Sequence, residues 1–351
     1  MTRVLAVNAG SSSLKLALVE EDPAGVGEDP GPDAPPLAER ELAAPGATVA
    51  DDELRAALAG ELSDADAVAH RVVHGGTRFR GAVRVDPGVR AALGELTALA
   101  PLHQRKSLAA LDAVSAALPE LPAIACFDTA FHVTITDAAA TFALPEQWRE
   151  RWSLRRYGFH GLSHAYIARH VAARFGQDTR VVSCHLGAGA SLCAIAGGAS
   201  VDTTMSFTPL DGLVMATRSG SIDPGLLLWL LSQAGMTVAE LAQGLEHESG
   251  LTGLAGTGDM RAVLAARASG DARATLAIDV YLHSLRAGIA AMAAALHGAD
   301  LVVFTGGVGE HAEAIRSEAM RGLEFLGARA LSVHTREDLE MARQARELLA
   351  G

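Results

Sequence analysis

Three charged residues stand where charge is costly. Arg71 lies inside Val68-Ala69-His70-Arg71-Val72-Val73, Asp128 closes Ile124-Ala125-Cys126-Phe127, and Arg218 sits in Met215-Ala216-Thr217-Arg218-Ser219-Gly220. Charges beside buried strands are unfavourable unless paired. One reading is a structural Arg–Asp ion pair. The other is two guanidiniums converging on a carboxylate and a transferring phosphoryl group, with Asp128 positioning them. His160 and His164, like His70 and His74, are spaced i, i+4. That spacing suits a zinc pair, but no third ligand of matching type is nearby and no His-Glu-x-x-His occurs. His160 reads better as a hydrogen-bond donor to phosphoryl oxygens.

Three turns rich in small residues could cradle phosphate. Asn8-Ala9-Gly10-Ser11-Ser12-Ser13-Leu14-Lys15 offers backbone N–H groups, hydroxyls, an amide oxygen and one cation. His185-Leu186-Gly187-Ala188-Gly189 allows close backbone approach, and Gly306-Gly307-Val308-Gly309-Glu310 follows a strand and precedes a helix. Small residues let N–H dipoles reach phosphate oxygens. None is a Walker A loop, which needs Gly-x-x-x-x-Gly-Lys-Ser/Thr. Three such turns in one chain favour a polyphosphate held between domains.

The elements that must position these groups are strands and helices of an α/β protein. Val4–Asn8 and Leu14–Val19 read as a hairpin, Ala67–Val73 and Ala123–Phe127 as strands, and Val181–Cys184 with Ser191–Ala196 as a second hairpin. Leu301–Phe304 is another strand. Helical spacing appears over Asp51–Ala59, Pro87–Leu99, Ser107–Leu118, Ser163–Phe175 and Thr275–Leu296. Asp223-Pro224 and Asp259 read as helix starts, and Thr335 with Asp338 as a variant capping box for a last helix. Pro23 to Pro36 reads as a solvent loop. Arg3-Val4-Leu5-Ala6-Val7-Asn8-Ala9-Gly10 echoes Arg180-Val181-Val182-Ser183-Cys184-His185-Leu186-Gly187. The echo suggests two related halves.

Bulk properties set bounds. The chain has 351 residues, enough for two domains, and its formal charge of −12 argues against nucleic-acid or anionic-membrane partners. An anionic substrate would need cations gathered locally. Three cysteines, Cys126, Cys184 and Cys193, lie in apolar stretches and do not form a disulfide framework. The N-terminus lacks a signal-peptide pattern, and Ala287–Val303 reads as a buried helix followed by a strand. A cytoplasmic location is expected.

Together these segments resemble the acetate kinase family, within the acetate and sugar kinase, Hsp70 and actin superfamily. The matching stretches are Asn8 to Lys15, His70-Arg71-Val72-Val73-His74-Gly75-Gly76, Phe127-Asp128-Thr129-Ala130-Phe131-His132, Tyr157-Gly158-Phe159-His160-Gly161, Phe207-Thr208-Pro209-Leu210 and Thr217-Arg218-Ser219-Gly220-Ser221-Ile222-Asp223-Pro224. They occur in family order. The resemblance implies an α/β fold of two duplicated ribonuclease-H-like (actin-like ATPase) domains with a central cleft, and a homodimer. The first domain would comprise 1–128 plus 336–351 and the second 129–335, with the nucleotide site. It implies reversible in-line phosphoryl transfer between ATP and acetate, giving acetyl phosphate and ADP, with Mg²⁺ or alternatively Mn²⁺. A propionate or butyrate kinase, or a nucleotide-binding sensor without turnover, are the alternatives.

By matching position, Asp128, Arg71, His160 and Arg218 are the catalytic set. Asn8 and Glu337 are the metal-associated residues, and Val73, Leu102, Phe159 and Pro209 the pocket for the acetate methyl group. The nucleotide shell comprises Lys15, Ser11, Ser13, His185, Leu186, Gly187, Ala188, Gly189, Asp259, Met260, Arg261, Gly307, Val308, Gly309, Glu310 and His311. The chain departs from the family at Ala188 and His311, where Asn is usual, and at Gln104-Arg105-Lys106, where the family tends to Asn-Pro-Pro. Its segment between Leu326 and Thr335 is shorter than usual, and Arg336 replaces an Asn beside Glu337.

Overall fold

A computed structural model describes residues 2–10, 13–20, 35–43 and 49–351. Most of the Pro23–Pro36 segment, and Ser11, lie outside the described residues. The chain divides into two compact units. The first comprises 1–133, 159–177 and 336–351, and the second 134–158 and 178–335. The C-terminal helix joins the first unit. Residues 129–133 and 159–177, expected in the second domain, belong to the first; helix Gly161–Phe175 buries Leu162 in a cluster with Val4, Ile124 and Met341.

The first unit is built on a six-stranded sheet in the order β3-β2-β1-β4-β6-β5. Its strands are β1 Val4–Ala9, β2 Ser13–Val19, β3 Ala38–Ala43, β4 Ala67–Val72, β5 Val83–Arg84 and β6 Ala123–Phe127. β1, β2 and β3 pair antiparallel, while β4 runs parallel to both β1 and β6. β1 is apolar at successive residues because both its faces are covered. Leu5 and Val7 pack with Leu54, Leu58 and Val114. Val4 and Ala6 pack with Met341, Ala342 and Ala345 of helix Glu337–Ala350. That second contact carries Glu337 to this sheet.

The second unit repeats the plan with five strands in the order β11-β10-β7-β8-β9. They are β7 Val181–Leu186, β8 Ala190–Ala196, β9 Ala199–Thr203, β10 Leu301–Thr305 and β11 Arg329–Ser332. β7, β8 and β9 pair antiparallel, and β10 runs parallel to β7 and β11. The strands echoed in the sequence, β1 and β7, therefore hold the same place in their sheets. Helix Ala272–Ala295 is long and apolar enough to cross a membrane by length and composition alone. It buries Ile278, Leu282, Leu285 and Ile289 in this unit and touches β7 and β8.

Several helix starts follow sequence chemistry. Asp223 accepts from Gly225 N, with Pro224 at the first helical position. Asp259 caps Met260–Ala268. The expected Thr335–Asp338 box does not form. Helix Glu337–Ala350 has Arg336 at its cap position with no side-chain cap bond, and the Arg336 guanidinium grips Asp338 at 2.9 and 2.7 Å instead.

Candidate functional site

The C-terminal ends of the central strands in the first unit carry a dense polar cluster. Arg71 lies in β4, Asp128 follows β6, Asn8 lies in β1, and Glu337 opens the last helix. Arg71 Nε and Nη2 donate to Asp128 Oδ1 and Oδ2 at 2.9 and 2.7 Å. Arg71 Nη1 donates to Asn8 Oδ1 at 3.1 Å and lies 3.6 Å from Glu337 Oε2. Asn8 Nδ2 donates to Glu337 Oε2 at 2.9 Å. The side chains of Arg71, Asp128 and Glu337 are 17%, 2% and 12% exposed. Despite the shortened segment before it, Glu337 meets Asn8, with which it is grouped in the sequence, and also Arg71.

Electrostatics follow from this packing. Burial opposes the charge on Arg71, but Asp128 and Glu337 outweigh it and raise the guanidinium pKa. Burial, with a smaller contribution from Glu337, pushes the Asp128 carboxyl up, and Arg71 pulls it down. Since a guanidinium keeps its proton and both Asp128 oxygens accept from it, the pair is ionic. Donors remain on both terminal nitrogens of Arg71, so a substrate carboxylate can still be gripped.

His160 reaches the cluster through the backbone. It adopts left-handed dihedrals, φ 56° and ψ 26°, at the start of helix Gly161–Phe175. Gly161 N donates to Asp128 O at 2.8 Å, and a Cβ at residue 161 would sit 2.1 Å from that oxygen. Only glycine allows this approach. Phe159 is fully buried and Val73 nearly so. Leu102 lies in helix Pro101–Ala117, and its side chain is outside those described. Lys15 stands opposite Asn8 in the β1–β2 hairpin, with its Nζ 4.0 Å from Glu41 Oε2, and Ser13 begins β2.

The second unit gathers the remaining candidates. Arg218 Nη1 donates to Pro209 O at 2.6 Å, and burial lowers the Arg218 pKa. The His185–Gly189 hairpin is tied to the Arg218 loop by Ala216 N donating to Ala188 O at 3.2 Å. Gly306 has φ 77°, and a Cβ there would sit 2.8 Å from Leu186 O, so the two glycine-rich turns pack backbone to backbone. Glu310 turns inward, accepting from Gly306 N at 2.9 Å and meeting His334 Nδ1 at 2.7 Å. Gly307 and His311 are exposed, Val308 is half-buried and Gly309 buried. Asp259 and Arg261 pair with each other at the surface, whereas the Met260 and Leu186 side chains are buried. Those two can offer a ligand only their main chain.

Sequence reasoning missed Asp211. Its carboxylate accepts from Ser206 Oγ, Ser221 Oγ and, at 2.8 Å, Gly212 N, and so organises the loop that carries Pro209 and Arg218. The signal was a lone acid in a stretch of Ser, Thr, Pro and Gly.

Comparisons with known proteins point to one family. A model of the acetokinase family matches residues 35–345. The acetate kinase of Nostoc punctiforme is 40% identical over 403 aligned positions, covering 99% of each chain. The crystal structure of Porphyromonas gingivalis acetate kinase superposes with a TM-score of 0.85 at 31% identity, covering 99% of this chain and 100% of that one. A propionate kinase from Francisella tularensis gives a TM-score of 0.88 at 32% identity, covering 98% of this chain and 99% of that one.

Proposed function

The chain belongs to the acetokinase family, and we propose that it transfers the γ-phosphoryl group of ATP to acetate, reversibly, as an acetate kinase. The observation that carries this reading is the Asn8–Arg71–Asp128–Glu337 cluster, a buried guanidinium braced on one side with donors left over. A carboxylic acid has a pKa near ~4, so acetate is ionised at neutral pH and needs no general base. The difficulty is bringing an anion against a polyanion. Charge neutralisation and in-line positioning are therefore the main work.

Arg71 holds the acetate carboxylate, with Asp128 fixing the plane of the guanidinium. In the first unit His160 takes charge that spreads over the equatorial oxygens, and in the second Arg218 offers a guanidinium for phosphoryl charge. Asp128 acts as organiser rather than proton acceptor. In the first unit Val73 and Phe159 offer apolar surface to the methyl group, and in the second the His185–Gly189 and Gly307–His311 turns offer main-chain N–H groups to the nucleotide. The same braced cluster counts against a sensor without turnover, because a sensor needs no paired guanidinium aimed at an acceptor.

The residues also fit a divalent cation. Glu337 and Asp128 offer carboxylates and Asn8 an amide oxygen, all hard ligands. Mg²⁺ uses one or two carboxylates plus substrate phosphates, so no larger protein cage is needed. When bound, Mg²⁺ would supply charge neutralisation of the phosphates. Three buried free cysteines suit a reducing, cytoplasmic setting. Helix Pro224–Ser232 buries none of its residues and exposes Leu226, Leu228 and Trp229, which supports a homodimer through the second unit. A Leu228→Glu variant running as a monomer in sedimentation, against a wild-type dimer, tests that point.

The activity test is hydroxamate trapping of acyl phosphate with ATP, Mg²⁺ and acetate, propionate or butyrate. Acetyl hydroxamate should form fastest. Absence of any hydroxamate from folded, nucleotide-binding protein would sink the kinase assignment.

A further inference from the structure

Asp128 and His160 are 32 residues apart, yet one short turn holds both. The residues after Asp128 form a 3-10 turn, Ala130–Thr134, and His132 within it is buried. His132 Nε2 lies 3.0 Å from Phe159 O. A carbonyl can only accept, so Nε2 carries the proton. Burial lowers the His132 pKa to about 4, against a smaller opposing effect of that bond, so the ring is neutral at physiological pH. The donor is thus permanent, a fixed Nε2–H tautomer.

The consequence falls on His160. A residue's φ and ψ are set by the orientations of the two peptide planes that flank it. The plane before His160 contains the Phe159 carbonyl, held by His132. The plane after it contains Gly161 N–H, held by Asp128 O at 2.8 Å. Both anchors come from the turn 128–132. His160 is not a glycine, and its left-handed conformation persists only where the surroundings impose it. The plane after His160 has a second anchor, the His160 carbonyl accepting from His164 N at 3.0 Å. The plane before it is therefore the one that loss of the His132 bond releases, and the histidine can then relax to ordinary dihedrals with its side chain redirected. The Phe159 ring has its own support, an edge contact with His74 at 5.5 Å. The His132 bond is therefore directed at the backbone rather than at packing of Phe159.

We propose that His132 is a positioning residue, which holds His160 in its left-handed, working conformation by donating Nε2–H to the Phe159 carbonyl. The inference rests on the kinase reading above. It makes His160 placement depend on a hydrogen-bond donor at position 132, not on an aromatic or bulky group there.

Two substitutions separate that from a merely structural role. His132→Gln keeps a donor of similar reach, and His132→Met fills the space without one. If His132 only packs the core, Met should be the milder change and Gln the harsher. If it positions His160, the order reverses. We expect His132→Met to lower kcat for acetyl phosphate formation by about 30-fold or more with KM for ATP changed less than about threefold, and His132→Gln to stay within about fivefold of wild type. The thermal midpoint of each variant is measured alongside. A folded Met variant within threefold of wild type, or a Gln variant worse than Met, overturns the proposal. Should the Met variant fail to fold, the Gln variant decides alone. A folded Gln protein with kcat below about a hundredth of wild type would overturn it, and near-normal kcat would support it. An inactive wild type would instead overturn the kinase reading.

Discussion

The two sheets share one topology and carry opposite chemistry at their strand ends. The echo of β1 in β7 aligns Val4 with Val181 and so Asn8 with His185. Val4 pairs with Ala67, and Val181 with Leu301, which makes Arg71 the counterpart of Thr305. Continuing to the next strand, Val68 pairs with Ala123 and Val302 with Ala330, so Asp128 corresponds to Thr335. One copy places an amide, a guanidinium and a carboxylate at these ends, and the other an imidazole and two hydroxyls. The second copy compensates with backbone: Gly187, Gly189, Gly306 and Gly307 lie at or beside its strand ends. On the proposed activity, the duplicated scaffold divides between side-chain charge in the first unit, for the acceptor, and glycine-rich main chain in the second, for the nucleotide. Strand ends suit both tasks, because the sheet fixes their position and leaves their side chains free to change.

The comparison breaks most visibly at Arg71. Arg71→Ala should lower kcat/KM for acetate by at least ~10³-fold, the lower end of what charge-stabilising groups provide. It also leaves Asp128 buried without its partner, which costs about 3–5 kcal/mol of stability. Arg71→Lys keeps a cation beside Asp128 but loses the planar fork, and separates folding from chemistry. Thr305→Ala, at the corresponding strand end, should stay within about tenfold of wild type. Equal losses at the two positions would dissolve the division of labour.

Acid should unsettle the two units in a fixed order. His70, His74 and His132 all belong to the first unit, and burial lowers each pKa to about 4. Both ring nitrogens of His70 are buried without a hydrogen-bond partner, so its charged form has nothing to meet it. Unfolded histidine titrates near ~6.5, so between about 6.5 and 4 the unfolded chain binds more protons than the native one. Stability is complete above that window and falls as pH drops through it, by on the order of 3 kcal/mol for each histidine at the lower end. Trp148, Trp152 and Trp229 all lie in the second unit. Hydrogen exchange at β1 and β4, corrected for its intrinsic pH dependence, should rise near pH 5 before tryptophan fluorescence changes. Fluorescence moving first would place the acid-labile part in the second unit.

Much of this was legible before the structure, and the gaps have physical causes. Strands β1, β4, β6, β7 and β10 are apolar at successive residues because both faces are covered, and such runs stand out. Edge strands β3, β5, β9 and β11 escaped notice, since they are short or half-exposed and carry little pattern. Arg71, Asp128, Asn8 and Glu337 were each singled out, and the structure brings them together. What residue types could not reveal was the backbone logic: the left-handed His160, the clash that reserves residue 161 for glycine, and the inward turn of Glu310. A capping box was read at Thr335, where none forms. The true one is Thr237 with Glu240, whose side chains each bond the other's backbone N–H at 3.1 and 2.8 Å. The Thr-x-x-Glu pattern was there to be read. At Thr335 the helix instead begins at Glu337, with Arg336 in the cap position and its guanidinium on Asp338.

A smaller effect tests the acceptor side. Val73 follows β4 two residues after Arg71, where alternation points both side chains to one face. Removing two methyl groups beside the acetate methyl should admit the second carbon of propionate. One methylene is worth about 1–3 kcal/mol in such a pocket, so wild type should prefer acetate over propionate by roughly 10–200-fold in kcat/KM. Val73→Ala should narrow that ratio, chiefly by raising the propionate value. A wild-type preference for propionate, or a ratio unmoved by the substitution, would show that Val73 does not gauge chain length.

The smallest expected change sharpens the nucleotide side. On the proposed reading the His185–Gly189 turn offers main chain to the nucleotide, and its Ala188 stands where the family usually has Asn. The turn is held independently of that side chain, by Gly187 N donating to Gly189 O at 2.9 Å and by the Ala216 bond to Ala188 O. Ala188 itself is exposed. An added amide therefore has room, and the backbone has no reason to move. Ala188→Asn should leave the thermal midpoint unchanged and tighten ADP or acetyl phosphate binding by roughly 0.5–1.5 kcal/mol, one net hydrogen bond. Calorimetric titration of wild type and variant with both ligands measures it. If the division between the units holds, the gain belongs to the nucleotide and phosphate, and KM for acetate stays put. Binding weakened more than about tenfold in a folded variant would mean that this turn does not face phosphate at all. The main-chain role of the second unit would then need another location.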